Sequence, residues 1–278
     1  MKEARIAILC SAKDPAGCNI REALIRLFPF RMDKEFEGHL AYSLEKDDKK
    51  ITLYTTSEEI VHCENIDRKI DSDCIIFISK HASSSKKPSL SVHSIGNWGS
   101  AELGGKANEL CPSMPFFMKD VFNAIEKHSQ CMAFELTLEC THHGPFVERP
   151  SAFVEIGSDI EQWNDLKAGE IIARSVMDAL STEGKYQVAF ALGGPHYMPN
   201  FKQIMLKTDT AIGHCCPKHM LEFLDENMLR QAIGRCNAKP DFLLLDWKGL
   251  SEHKARITAL AEKLGIEARK TKDLYKED

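Results

Sequence analysis

Six of the eleven histidines in this chain stand at or just past the ends of stretches that read as β-strands. His81 follows the run 74–79, and His93 ends the run 90–93. His142 and His143 follow the alternating run 132–140, His196 follows 187–192, and His214 follows 207–213. Neutral imidazole is the commonest metal ligand among side chains, and zinc is its usual partner in hydrolytic sites. A zinc ion with one open position lowers the pKa of a bound water to about 7 and so creates a nucleophile. Glu135 and Glu139 alternate onto one face of the 132–140 strand with Thr137 between them. Glu139, His142 or His143 could then serve as general base or as catalytic orienting group. A single strand-end histidine is more often a hydrogen-bonded loop residue, so the weight lies on the cluster. If strand geometry continued through 142 and 143, their rings would face opposite ways, leaving one as a ligand.

The elements that must position these side chains alternate in type. Residues 4–10 form a continuous apolar run, the pattern of a strand buried on both faces. Strands are also expected at 51–55, 74–79, 90–93, 132–140, 152–156, 187–192, 207–213 and 242–246. Helical spacing marks 19–28, 113–129, 160–181, 221–233 and 251–264, the last with Ser251 as its cap. The expectation is one α/β domain over residues 1–278, a mixed and largely parallel sheet with helices on both faces. Ligands bind beyond the carboxyl ends of such strands, where the histidines could converge.

The totals exclude several classes. A net charge of −5 argues against a protein coated in basic surface, though a local patch suffices for a few phosphates. Lys80, Lys86 and Lys87 around Ser83-Ser84-Ser85 form one such patch, and Lys263, Arg269, Lys270 and Lys272 another. No uncharged apolar run approaches the roughly 18 residues that would span a bilayer, so no membrane association is expected. The first residues lack the apolar core of a signal peptide, and a cytoplasmic monomer is the expectation. The ten cysteines are scattered, with no CxxC pair, and are read as reduced, buried thiols.

Standard catalytic motifs are absent: there is no HExxH, GxSxG or GxGxxG. The segment 99–107 approximates a P-loop, but its first glycine is displaced by one place and Lys106 precedes Ala107. Gly96-Asn97-Trp98-Gly99 and Gly193-Gly194 allow close backbone approach to a ligand. Trp98 could stack on a terminal adenine beside Asn97, or simply pack within the fold.

Ser79-Lys80-His81, Val92-His93, Gly96-Asn97-Trp98-Gly99, Thr141-His142-His143-Gly144-Pro145 and Gly193-Gly194-Pro195-His196-Tyr197 together resemble the archaeal-type D-aminoacyl-tRNA deacylases. The resemblance runs over essentially the whole length. It implies hydrolysis of the ester between a D-amino acid and the terminal ribose of tRNA, clearing mischarged tRNA. It also implies zinc dependence and a phosphorylase/hydrolase-like α/β fold related to peptidyl-tRNA hydrolase. On the strand-end argument, zinc would be held by some of His81, His93, His142, His143, His196 and His214, with Glu139 as base or further ligand. Gly193 and Gly194, or 96–99, would offer backbone N–H groups to an oxyanion. Lys80, Lys86 and Lys87 would meet tRNA phosphates, and Trp98 the terminal adenine. The rivals are a metal-dependent amidohydrolase or peptidase on a small substrate, a non-catalytic RNA-binding module with structural histidines, and a phosphate-dependent nucleoside phosphorylase.

Overall fold

The computed structural model describes residues 3–84 and 86–275. Its larger sheet holds β1 (Ala4–Ser11), β2 (Arg31–Phe36), β3 (His39–Lys46), β4 (Lys49–Thr56), β5 (Cys74–Ala82) and β6 (Ser89–His93). A short ladder of β7 (Gly96–Asn97) and β8 (Glu109–Leu110) follows, after which β9 (Glu135–Leu138) and β10 (Ser151–Ser158) rejoin the large sheet. The order across it is β2-β3-β4-β1-β5-β10-β6-β9. A second sheet contains β11 (Gln187–Leu192), β12 (Thr210–Cys216), β13 (Phe242–Leu245) and β14 (Glu267–Lys270), all parallel, in the order β12-β11-β13-β14.

The helices are α1 (Pro15–Leu27), α2 (Pro115–Ser129), α3 (Ile160–Trp163), α4 (Leu166–Leu180), α5 (Pro199–Lys207), α6 (Glu226–Gly234) and α7 (Lys254–Leu264). Several begin for a local reason. Asp14 caps α1 by accepting from Gly17 N at 2.9 Å, with Pro15 in the first turn. Asp165 caps α4 in the same way, and Asp225 caps α6.

One apolar core runs beneath both sheets. It joins Ile8, Ile76, Val154 and Val92 of the large sheet to Ala189, Ile212 and Leu244 of the small one, under α1, α2, α4 and α5. Each such aliphatic side chain contributes about 1.5–3 kcal/mol on burial, which is what joins the two sheets. On the opposite side α6 and α7 cover the small sheet. The opposite face of the large sheet is closed by irregular chain carrying Ile60, Cys63, Ile66, Cys111 and Phe146. The architecture is therefore α/β, mixed and largely parallel, as the alternation of elements predicts, but in two sheets, with helices on both faces of the small one and on one face of the large one.

Several details depart from the sequence reading. The hairpin of β2 and β3 was not expected, because its charged run Arg31–Phe36 is exposed at the sheet edge on both faces and carries no apolar alternation. Helix α5 and strand β14 are also additional. The 221–233 helix divides into a 3-10 turn, Lys218–Phe223, and α6. Ser251 does not cap through its side chain and lies at the start of a 3-10 turn before α7. All ten cysteines are free thiols. No helix among the described residues is long and apolar enough to cross a membrane.

Candidate active site

The expected convergence at a common carboxyl edge of the sheet does not occur as drawn. β6 runs antiparallel to β10, so β6 and β9 point opposite to β5 and β10. The residues meet instead on one face of the sheet, the face closed by irregular chain. Glu155 on β10 pairs in register with Ser79 on β5 and Ser91 on β6. Two residues along in opposite directions, Gly157 pairs with His81 and Phe153 with His93. Period-two alternation puts Glu155, His81 and His93 on the same side. A Cβ at Gly157 would lie 2.8 Å from His81 Cδ2, so glycine there makes room for the imidazole.

Beyond β9 the chain crosses towards the second sheet. Glu139 N–H donates to Val92 O at 3.1 Å, Cys140 N–H to His196 O at 2.9 Å, and Thr141 N–H to Cys215 O at 2.9 Å. His143 then takes a left-handed φ of 43°, which breaks the alternation. His142 and His143 thus face the same centre. Their ring centroids are 4.2 Å apart, and those of His93 lie 4.3 Å from His142 and 4.9 Å from His143. The expectation that only one of the pair could face the site fails for this reason.

The three rings share one orientation. His93 Nδ1 lies 3.1 Å from Ser94 O, His142 Nδ1 2.8 Å from Cys140 O, and His143 Nδ1 2.6 Å from Gly144 O. An Nδ1–H donated to a main-chain carbonyl fixes the tautomer and leaves Nε2 as a lone pair, the usual arrangement behind a metal ligand. Ligand atoms of His93, His142 and His143 lie within 4.8 Å of one another. His93 Nε2 is buried without a hydrogen-bond partner. Burial drives His142 well below its ordinary pKa and His143 down to about 4, so both stay neutral and able to ligate. Burial acts the same way on His93, but Glu155 at 3.6 Å outweighs it and holds that pKa up.

Two carboxylates sit beside this trio, each almost fully buried. Glu155 accepts from Ser79 Oγ at 2.6 Å and Ser91 Oγ at 3.4 Å. Glu139 Oε2 is 3.0 Å from His196 Nε2 and 3.7 Å from His142 Nε2, and its Oε1 is 3.2 Å from His81 Nδ1. That Oε1 nonetheless accepts no hydrogen bond. Burial would raise the pKa of Glu139, but the contact with His196 and the fields of His93 and His81 hold it down to about 2. Removing a carboxylate from water costs several kcal/mol. Two within one histidine cluster are the mark of a site rather than of a packed core.

His81, Glu139 and Glu155 form a second group with ligand-atom spacing, and Cys140, His142 and His196 a third. The orphaned His93 Nε2 and Glu139 Oε1, with three oriented imidazoles, suit a nitrogen-preferring divalent cation. The donor set fits a metal. A cavity of about 470 Å³ opens above it, lined by His81, His142, His143, Glu155, His196 and Tyr197. Tyr197 OH lies 3.2 Å from His81 Nε2.

Other expected residues have different places. His214 is fully buried, with Nδ1 3.2 Å from Thr141 Oγ1 and Nε2 2.8 Å from Arg235 O, and belongs to none of the three groups. Trp98 is 2% exposed, stacked on Phe190 at 5.6 Å and donating Nε1–H to Thr141 O. It is a packing residue with no free face for an adenine. Asn97 donates Nδ2–H to Gly104 O and Lys106 O, bracing the glycine-rich loop. Gly193 N–H is taken by Cys216 O and is not free for an oxyanion, while Gly194 has a left-handed φ of 82°.

Lys80 lines the cavity, with Nζ 5.6 Å from the Trp163 ring centre. Lys86 faces Asp159 at 3.9 Å, Lys87 is exposed beside it, and Ser85 lies outside the described residues. The sequence reading missed Glu155 and Ser91, and gave no role to Ser79 and Tyr197, which it named only within motifs. The signal for Glu155 was present: it is the one charge inside an otherwise apolar strand, 152–156.

A family model described as D-aminoacyl-tRNA deacylase matches residues 68–269, which include every residue of the histidine–carboxylate cluster. A D-aminoacyl-tRNA deacylase of Pyrococcus furiosus is 36% identical over 269 residues, 94% of this chain and 97% of its own length. One of Methanosarcina mazei is 36% identical over 285 residues, 99% of this chain and 95% of its own. The crystal structure of a conserved protein of unknown function superposes with a TM-score of 0.91 at 33% identity, covering 100% of this chain and 99% of that one. Matches of this extent leave no part of the site outside the likeness, and the chain belongs to the D-aminoacyl-tRNA deacylase family.

Proposed function

We propose that this protein hydrolyses the ester joining a D-amino acid to the terminal ribose of tRNA, releasing free tRNA and the D-amino acid. The observation that carries this reading is the buried pair Glu139 and Glu155 among oriented histidines at the floor of an open cavity, in a chain of this family. An aminoacyl ester is an activated acyl group. Its hydrolysis needs an activated water and a stabilised oxyanion, not a covalent nucleophile.

Zinc is the metal we assign, with His93, His142 and His143 as the residues that would hold it. Bound there, it would supply a Lewis acid and lower the pKa of a coordinated water. The chain's own groups do the rest. Glu139, held ionised, fixes His196 through the 3.0 Å contact and fixes the charge facing His81. A carboxylate of such low pKa is a poor proton store at neutral pH, so Glu139 acts by orienting His196 at the cavity and not by taking the proton from water. Tyr197 OH, which donates to Ser83 Oγ at 3.1 Å, and His81, 3.2 Å from that OH, are the polar groups at the cavity that would turn to the oxyanion. Lys80 at the cavity wall meets the phosphate nearest the ester. The protein would act as a cytoplasmic monomer on tRNA.

The test is turnover of D-tyrosyl-tRNA against L-tyrosyl-tRNA before and after chelation, with zinc then restored. Selective loss of the D-ester, stopped by chelation and restored by zinc, is the expected result. No turnover of either ester by zinc-replete protein overturns the reading and favours a metal-dependent hydrolase of small substrates.

A further inference from the structure

A second crevice of about 450 Å³ opens at the carboxyl end of β13, bordered by Asn200, Asp246, Trp247, Lys248, Lys270 and Lys272. The catalytic reading makes no use of it. One chain segment lines both places. β11 leaves through Gly193 and Gly194, supplies His196 and Tyr197 to the catalytic cavity, and reaches Asn200 in the crevice. Asn200 Nδ2 donates to Asp246 Oδ2 at 3.1 Å. Asn200 is four positions beyond His196, so the two linings lie at most about 14 Å apart along the chain.

The lysines here differ from the other members of the basic C-terminal run. Lys263 pairs with Glu226, and Arg269 with Glu267. Lys248, Lys254, Lys270 and Lys272 make no ion pair among the described residues. Lys270 Nζ lies 4.2 Å from the centre of the Trp247 ring and Lys254 Nζ 5.5 Å from it. An indole holds an ammonium group without neutralising it. Two carboxylates stand among them: Asp246, which lines the crevice and accepts from Asn200 and Gly249 N–H, and Asp273, which accepts from Lys270 N–H. Four lysines against these two carboxylates give a local excess of positive charge beside the site, in a chain of net charge −5.

We propose that this crevice holds the phosphate backbone of the tRNA acceptor strand and leads its 3′ end across residues 193–200 into the catalytic cavity. The identity of the RNA rests on the deacylase reading; the anionic strand rests on the lysines. At 3.4 Å per nucleotide along a helical strand, a span of at most about 14 Å is no more than about four nucleotides. The phosphates held are therefore those just before the terminal ribose. Tyr275, 46% exposed on the rim, offers a ring on which one of their bases can stack.

The experiment measures Kd of the full-length protein for uncharged tRNA across a salt series, so that ester chemistry plays no part. The triple variant Lys248→Gln, Lys270→Gln, Lys272→Gln is expected to reduce the slope of log Kd against log salt by about 2, at 0.7–0.9 per phosphate contact. The triple Lys→Arg variant is expected to keep the wild-type slope. Lys263→Gln with Arg269→Gln, the ion-paired neighbours, serves as control and should change it little. Thermal melting of each variant checks folding. An unchanged slope in a folded triple Gln variant, or an equal fall in the control, overturns the proposal. Turnover of a D-aminoacyl ester of a short 3′-terminal oligonucleotide by the wild-type protein tests the catalytic reading separately, since so short a strand does not need the crevice.

Discussion

Glu139 Oε2 and His196 Nε2 are 3.0 Å apart, yet Glu139 extends a strand of the large sheet and His196 follows one of the small sheet. The contact is reinforced by Cys140 N–H on His196 O at 2.9 Å and by Cys140 Sγ 3.3 Å from His196 Nδ1. The Cys140 thiol is held well above its ordinary pKa by burial, so it stays protonated and serves as donor to that nitrogen. The proposed catalytic pair is thus assembled only when the two sheets dock. Sheet packing and site geometry are one event.

Replacing Glu139 with Gln keeps the volume and removes the charge that orients His196 and faces His81. General acid–base groups contribute about 10²–10⁴-fold, and a fall of that size in single-turnover rate is the expected outcome. Metal content should persist, because His93, His142 and His143 are anchored by main-chain carbonyls and not by Glu139. A wild-type rate would remove Glu139 from the chemistry. Loss of metal would make it a ligand instead.

His142→Ala and His143→Ala should each abolish turnover and reduce bound zinc, read by elemental analysis of dialysed protein. His81→Ala should also abolish turnover but keep the metal. His214→Ala should behave differently. It removes two buried hydrogen bonds, to Thr141 Oγ1 and Arg235 O, each worth about 0.5–1.5 kcal/mol of stability, while zinc stoichiometry stays at the wild-type level. If His214→Ala strips the metal as His142→Ala does, the three-histidine assignment is wrong.

Strand-end histidines were legible because apolar runs such as 74–79 and 187–192 are unambiguous, and polar ligand-type residues stand out where such runs stop. What could not be read was how the ends meet. The antiparallel setting of β6 is a fact of pairing, not of composition, and it moved the site from the sheet edge to the sheet face. The joint orientation of His142 and His143 depends on a left-handed backbone at His143, which a β-like pattern hides. Trp98 misled for the opposite reason. Flanking glycines suggest an exposed loop, but the β7–β8 ladder closes over the indole and Thr141 O satisfies its N–H. The glycine-rich segment after it is not a phosphate loop; Gly104 and Gly105 lie against the turn at Gly144.

Lys119 carries a pH-dependent part of the stability. Burial lowers its pKa to about 8, although its Nζ donates to Met205 O and Thr208 O near the end of α5. The unfolded chain keeps this proton until about pH 10.4. Between those values the unfolded state binds more protons, so stability conferred by this site rises with pH through the window from about 8 to 10.4. The difference in urea-unfolding free energy between wild type and Lys119→Met should therefore shift in favour of wild type from pH 7.5 to pH 9.5. A difference that stays flat across those two pH values would show that the ammonium group is better solvated than its burial implies.

Gly144 is the tightest test of how the double-histidine turn is built. Its N–H donates to Leu103 O at 2.9 Å, and a Cβ there would collide with main-chain atoms of Gly105, Gly104 and Val61. None of these is the far end of a flexible side chain, so the turn must move. His143 donates its Nδ1–H to the Gly144 carbonyl and will move with it. Gly144→Ala is expected to lower zinc affinity by about 10–100-fold, the usual effect of disturbing a ligand's hydrogen-bonded support. A lower Tm should accompany it. The control is Gly234→Ala at the end of α6, where a Cβ meets nothing within 4 Å and φ is not left-handed. That change should be neutral, or stabilising by up to about 1 kcal/mol. Equal zinc affinity in both variants would mean that the loop at 103–105 yields, and that the histidine turn does not depend on it.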